Sequence, residues 1–143
     1  MATLNMATQA EGRAAIVIVR SLIVGLALAT AAIHASLGGL LFLANAVGYA
    51  TLAVAMVVPG PIGRIRWLVR LGLMGFTAAT IGGWLLFGTR FPLAYLDKGI
   101  EVALIGIVAL ELWRVDGGPM GVARQARRLV AGLVGTQRAK APR

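Results

Sequence analysis

The sequence contains no cysteine. That excludes disulfides, thiolate metal ligands and cysteine nucleophiles together. Its one histidine, His34, cannot build a metal cluster alone. No Gly-rich phosphate loop, HExxH helix or GxSxG elbow occurs. With no residue set able to carry out chemistry, the chain is expected not to be an enzyme. Charge is also scarce, at 13% of residues against roughly a quarter in a soluble domain.

Apolar residues fill the space that charge leaves. They make up 59% of the 143 residues and come in long runs. This distribution places the chain among membrane proteins, with room for about four spans of ~20 residues and no second, soluble domain. The first run, residues 14–35, reads AAIVIVRSLIVGLALATAAIHA and ends at the break SLGG. The second, residues 40–58, is closed by PGPIG, whose two prolines stop a helix firmly. The third covers about 67–88, with Trp67 and Trp84 near its ends as interfacial aromatics. The fourth covers about 92–113, with Pro92 suited to a first helical position and Trp113 at the far interface. The expected fold is therefore all-α: four transmembrane helices in a compact bundle with short loops. Residues 1–13 form a cytoplasmic N-terminal segment, and residues 114–143 a basic cytoplasmic tail. A competing reading makes residues 1–35 a signal peptide.

The formal net charge of +9 sits beside the apolar runs. On one side lie Arg13, Arg20, Arg64, Arg66, Arg70, Arg114, Arg124, Arg127, Arg128, Arg138, Lys140 and Arg143; on the other lie only Arg90 and Lys98. Twelve against two is a strong positive-inside signal, so both termini are expected in the cytoplasm. Arg20 and Arg70, inside spans one and three, are expected to snorkel to the interface. No interleaving of bases with aromatics supports nucleic-acid binding.

Close helix approach in lipid depends on small residues. Gly25 and Ala29, Ala44 and Gly48, Gly75 with Ala79 and Gly83, and Gly99 and Ala103 give every span a smooth stripe. Asn45 and Tyr49 share a face of the second span, and Thr77 and Thr80 a face of the third. These polar groups are expected as packing contacts, with Asn45 hydrogen-bonding a neighbouring helix; the functional alternative is a ligand contact.

The stretch AYLDKGIEVALI, residues 94–105, is the main puzzle. It places Asp97, Lys98 and Glu101 in a segment otherwise apolar enough to cross a membrane. One reading starts the fourth span near Asp97 and leaves the acids as an outer cap favoured by the helix dipole. A second makes the three charges an intramembrane network, with the Lys98 ammonium between two carboxylates, that fixes packing or binds another subunit. A third makes Glu101 a titrating group in a proton or cation pathway. Glu111 stands three residues before Arg114, and a simple i, i+3 pair is the default.

His34 lies near the outer end of the first span. It is expected as a hydrogen-bonded interface residue, with axial ligation of haem or a chlorophyll-type pigment as the alternative. In the tail, Met120, Ala123, Ala126, Val130 and Leu133 can share one helical face, opposite Arg124, Arg127 and Arg128. That pattern suits an interfacial helix on anionic lipid headgroups, or alternatively an acidic partner surface.

The leading functional expectation is an accessory or structural subunit of a larger complex in the bacterial cytoplasmic membrane, in an electron-transfer or photosynthetic assembly for example. Its partners would be the bilayer and other integral membrane chains, or copies of itself. The alternatives are a small proton- or cation-coupled transporter or channel using Glu101, and a pigment-binding protein using His34. The sequence requires no cofactor.

Overall fold

A computed structural model describes the backbone of residues 2–140 and the side chains of residues 9–132. The side chain of Leu133, part of the expected apolar face of the tail, lies outside the described residues, as do those of Arg138, Lys140 and Arg143.

The described residues form helices and connections, with no strand. In chain order the helices are α1 (Ala2–Leu37), α2 (Leu40–Val57), α3 (Pro61–Arg64), α4 (Arg66–Phe87), α5 (Pro92–Asp116) and α6 (Gly118–Lys140). Three of them are long and apolar enough to cross a membrane: Gln9–Leu37 within α1, then α2 and α4. The chain therefore has the makings of a helical membrane protein. Helix α5 has 25 residues, but Asp97, Lys98 and Glu101 set its composition apart.

Local chemistry explains the breaks. Gly38 and Gly39 have φ of 69° and 85°, left-handed values that a residue with a Cβ reaches only at a cost, and they turn α1 directly into α2. Gly117 and Gly118, at 76° and 66°, divide α5 from α6 in the same way. Pro92 opens α5 as its first residue, where its missing N–H breaks no helical bond. The fourth apolar stretch thus begins at Pro92, and Asp97 lies more than a turn inside the helix.

Helix α1 packs against α2 and α5, and α4 packs against α2 and α5. Their inward faces meet in an apolar core of Ile23, Ala27, Ala53, Met56, Leu73, Leu104 and Val108. Outward faces stay apolar but uncovered, as at Leu40, Leu86 and Phe87. In a membrane such faces meet lipid, where their exposure carries no penalty. Trp113 and Arg114 are also exposed, whereas Trp67 turns inward and is buried.

Small residues enter the packing selectively. A Cβ built on Gly48 would lie 2.5 Å from Phe76 Cζ, so the ring of α4 rests directly on the backbone of α2. Gly25, Gly75 and Gly99 have no such neighbour. Among the glycines of these stripes, Gly48 alone is pressed by a neighbouring helix; Gly75, Ala79 and Gly83 are exposed.

Candidate functional site

Polar side chains gather in two layers, one at each end of the apolar core. Thr30, Thr80 and Glu101 belong to the first layer, and Arg20, Arg70 and Glu111 to the second. Along their own helices these pairs are each ten residues apart, or about 15 Å at the α-helical rise. The core residues lie between the layers.

The first layer centres on Glu101, which is fully buried. Its Oε1 accepts from Tyr49 Oη at 2.8 Å and from Thr80 Oγ1 at 2.9 Å. Its Oε2 accepts from Lys98, one helical turn earlier. Lys98 Nζ also lies 3.0 Å from Asp97 Oδ2, so the ammonium stands between two carboxylates. Asp97 Oδ1 accepts from the Thr30 hydroxyl of α1. Thr77 donates to Leu73 O within its own helix, and Thr80 also reaches Thr77 O. A buried carboxylate is costly unless paired and hydrogen-bonded, and both of these carboxylates are.

The charges are therefore turned into the protein. The outer-cap reading of Asp97 and Glu101 does not hold, because α5 starts at Pro92 and rotates both acids toward α1 and α4.

His34 is 3% exposed, with its ring between Phe42 and Tyr49 at centroid distances of 6.0 and 5.7 Å. It faces the protein rather than an interface. Its Nδ1 lies 2.9 Å from Thr30 O and 3.7 Å from Asp97 Oδ1. Both neighbours accept, so Nδ1 carries a hydrogen, and in the neutral ring Nε2 holds the lone pair. His34, Asp97 and Glu101 offer ligand atoms that all lie within 4.8 Å of one another, a grouping the lone histidine did not suggest. Lys98 already bridges the two carboxylates, and His34 Nδ1 is turned to Thr30 O. In this arrangement the three side chains belong to one network of ion pairs and hydrogen bonds.

Asn45 makes no side-chain hydrogen bond among the described residues. It lies one turn from Tyr49 on α2 and faces a cavity instead of a neighbouring helix. The cavity has a volume of about 540 Å³ and lies among α1, α2, α4 and α5, at the end where the connections 38–39 and 88–91 close the bundle. Its floor carries His34, Asn45, Thr80, Asp97 and Lys98. Its walls include Phe42, Phe76, Trp84, Phe87 and Phe91, together with the small residues Ala79 and Gly83. Trp84 is fixed by a bond to Thr89 O and an edge contact with Tyr95. Glu101 lies behind this floor and does not line the cavity.

The second layer differs from the sequence expectation in its pairing. Arg70 is 2% exposed and does not snorkel; it donates to Glu111 Oε1 and Asp116 Oδ2, both at 2.8 Å. Arg20 approaches Glu111 at 3.4 Å. Glu111 is buried toward α4, and no ion pair joins it to Arg114 among the described residues. Arg114, about 60° around the helix from Glu111, is exposed, while Glu111 is buried. Glu111 Oε2 has no hydrogen-bond partner among the described residues. In α6, Arg124, Arg127 and Arg128 are exposed, as are Met120 and Val130; Gln125 reaches back to Asp116 at 3.4 Å.

The chain matches no family model, no curated protein sequence and no solved structure.

Proposed function

We propose that the chain is a four-span, non-catalytic protein of the bacterial cytoplasmic membrane, with both termini cytoplasmic, whose function is to bind a small amphipathic molecule from the outer side. The cavity of about 540 Å³ carries this reading. Ligand sites are typically concave and mostly apolar, with a few convergent polar groups, and this cavity has that composition. Asn45 supplies an amide with no protein partner, His34 a ring with a free Nε2, and Lys98 an ammonium with a third N–H beyond its two carboxylates.

The same geometry supports a fourth span. Helix α5 is long enough to cross, and its charged groups meet partners on α1, α2 and α4 instead of lipid. The twelve-to-two distribution of Lys and Arg supports this orientation, with the cavity mouth on the outer face. Helix α6 then lies at the cytoplasmic surface with Arg124, Arg127 and Arg128 toward anionic headgroups.

Asp97, Lys98 and Glu101 each find partners inside the chain, so their presence does not call for a neighbouring subunit. This weighs for a self-contained binding protein over an accessory subunit. The buried apolar layer of Ile23, Leu73, Leu104 and Val108 below the floor weighs for a binding site over an open channel.

The test is native mass spectrometry of the protein purified in mild detergent from the membranes of its own cell. The comparison is with Ala79→Leu/Gly83→Leu, which fills the cavity from α4. A Cβ on Gly83 meets nothing within 4 Å, so the added side chains have room. The wild type is expected to carry an added mass that the double variant lacks. An identical mass for both, equal to the bare chain, would sink the reading.

A further inference from the structure

We infer that the molecule taken by this cavity is an organic cation: a positive head seated at the Asp97 end of the floor, with an apolar, aromatic-compatible body against the walls. The inference rests on the binding reading above and adds the chemical class of the ligand.

It begins with a count of charges. On α5, the side facing the cavity and the network behind it hold two carboxylates, Asp97 and Glu101, and one ammonium, Lys98. The other helices contribute no Lys, Arg or acid here: Thr30 and His34 come from α1, Tyr49 and Asn45 from α2, Thr77 and Thr80 from α4. Each charged group is hydrogen-bonded, yet the sum is one negative charge in a place from which solvent is largely excluded. Beyond Lys98, Arg90 lies against the Trp84 wall but is exposed to solvent, and the internal cations are Arg20 and Arg70. They lie in the other polar layer, about 15 Å away along the helices, and are already engaged with Glu111 and Asp116. A charge taken out of water demands a counter-charge close by.

Lys98 lines the cavity, and an anion is the obvious rival ligand. The geometry disfavours it. The ammonium is held by carboxylates on two sides, so an anion approaching its remaining N–H meets Asp97 at the same distance scale. A cation meets the surplus carboxylate charge, and with it the acceptors of the floor: the Asn45 carbonyl oxygen and His34 Nε2.

The walls agree with the floor. Aromatic faces attract cations through their quadrupoles, and Phe42, Phe76, Trp84 and Phe91 ring this cavity. Trp84 already holds one cation in this way on the surface, with Arg90 Cζ 4.9 Å from its ring centre.

The experiment uses two ions of nearly the same shape and opposite charge, tetraphenylphosphonium and tetraphenylborate. Each is titrated by equilibrium dialysis against the full-length protein in nanodiscs, with the Ala79→Leu/Gly83→Leu protein in identical nanodiscs subtracted to remove partition into lipid. Saturable tetraphenylphosphonium binding that the filled cavity abolishes, with no such component for tetraphenylborate, is the expected result. Asp97→Asn should weaken that component by about tenfold or more. Equal or tighter cavity-dependent binding of tetraphenylborate would overturn the inference while leaving the binding reading intact. Cavity-dependent binding of neither ion would also overturn it. The binding reading would fail with it only if the wild type, purified from its own membranes, also carries no added mass.

Discussion

Lys98 donates to Glu101 from one turn earlier on α5, and both side chains are buried while their helix runs past an apolar core. Removing one partner of such a pair leaves an uncompensated charge, which costs about 3–5 kcal/mol, far more than the pair itself contributes. Lys98→Met is therefore expected to lower the melting temperature of the detergent-solubilised protein sharply, and Lys98→Met/Glu101→Gln to recover part of the loss. A Lys98→Met protein that melts with the wild type would show that Glu101 does not depend on the ammonium.

Tyr49 carries the other side of the same carboxylate. Its hydroxyl reaches Glu101 Oε1 and stands 2.8 Å from Thr80 Oγ1. Tyr49→Phe keeps the ring that packs on Phe76 and deletes only the hydroxyl. A hydrogen bond to a charged group is worth about 1.5–3 kcal/mol. Because Thr80 donates to the same oxygen, adding Thr80→Val should cost more than the two single losses summed. Strict additivity in the thermal denaturation of the two singles and the double would argue against a shared acceptor.

These contacts mark where the sequence stops being readable. Composition and run length gave an all-helical chain with helices fit to cross a membrane, because span length and hydrophobicity are local properties. The glycine pair after Leu37 and the proline at 92 were equally legible, since backbone preference belongs to single residues. Which way a side chain faces was not. Spacing put Glu111 near Arg114, but the rotation of α5 gives it to Arg70, 41 residues away. Asn45 was expected to bind a neighbouring helix and faces a cavity, because no local signal records the gap left where helices diverge. The cavity itself is built from four helices and had no signature in any one of them.

The small-residue stripes show the same limit and allow a paired test. Gly48 sits under Phe76, and an added Cβ would have to displace a ring that is also packed on Tyr49. Gly48→Ala is expected to destabilise by about 1–3 kcal/mol, the usual range for overpacking. Gly75→Ala meets nothing within 4 Å and replaces a poor helix former, so it should be neutral or slightly stabilising. If the two alanines shift the detergent melting temperature equally, the close α2–α4 approach at Gly48 is wrong.

Arg70 joins α4 to two acids near the C-terminal end of α5. A planar guanidinium bridges two carboxylates that a lysine ammonium reaches with different geometry, so Arg70→Lys is not conservative. It is expected to destabilise measurably, by about 1–3 kcal/mol, whereas Arg114→Lys on the exposed face should fall within about 0.5 kcal/mol of wild type. Comparable losses for the two variants would return Glu111 to Arg114 as its partner.

The absence of cysteine makes the number of spans directly testable. Single cysteines at Ile62, in the exposed turn α3, and at Thr89, in the connection between α4 and α5, report opposite faces if α4 crosses the membrane. A third at Val130, on the exposed part of α6, reports whether α5 crosses back. A membrane-impermeant maleimide added to intact cells should label the Thr89→Cys protein alone. The Ile62→Cys and Val130→Cys proteins should react only after lysis. Labelling of Val130→Cys from outside would mean that α5 does not cross. Asp97, Lys98 and Glu101 would then need another explanation for lying inside the protein, and the tail could not rest on the cytoplasmic leaflet.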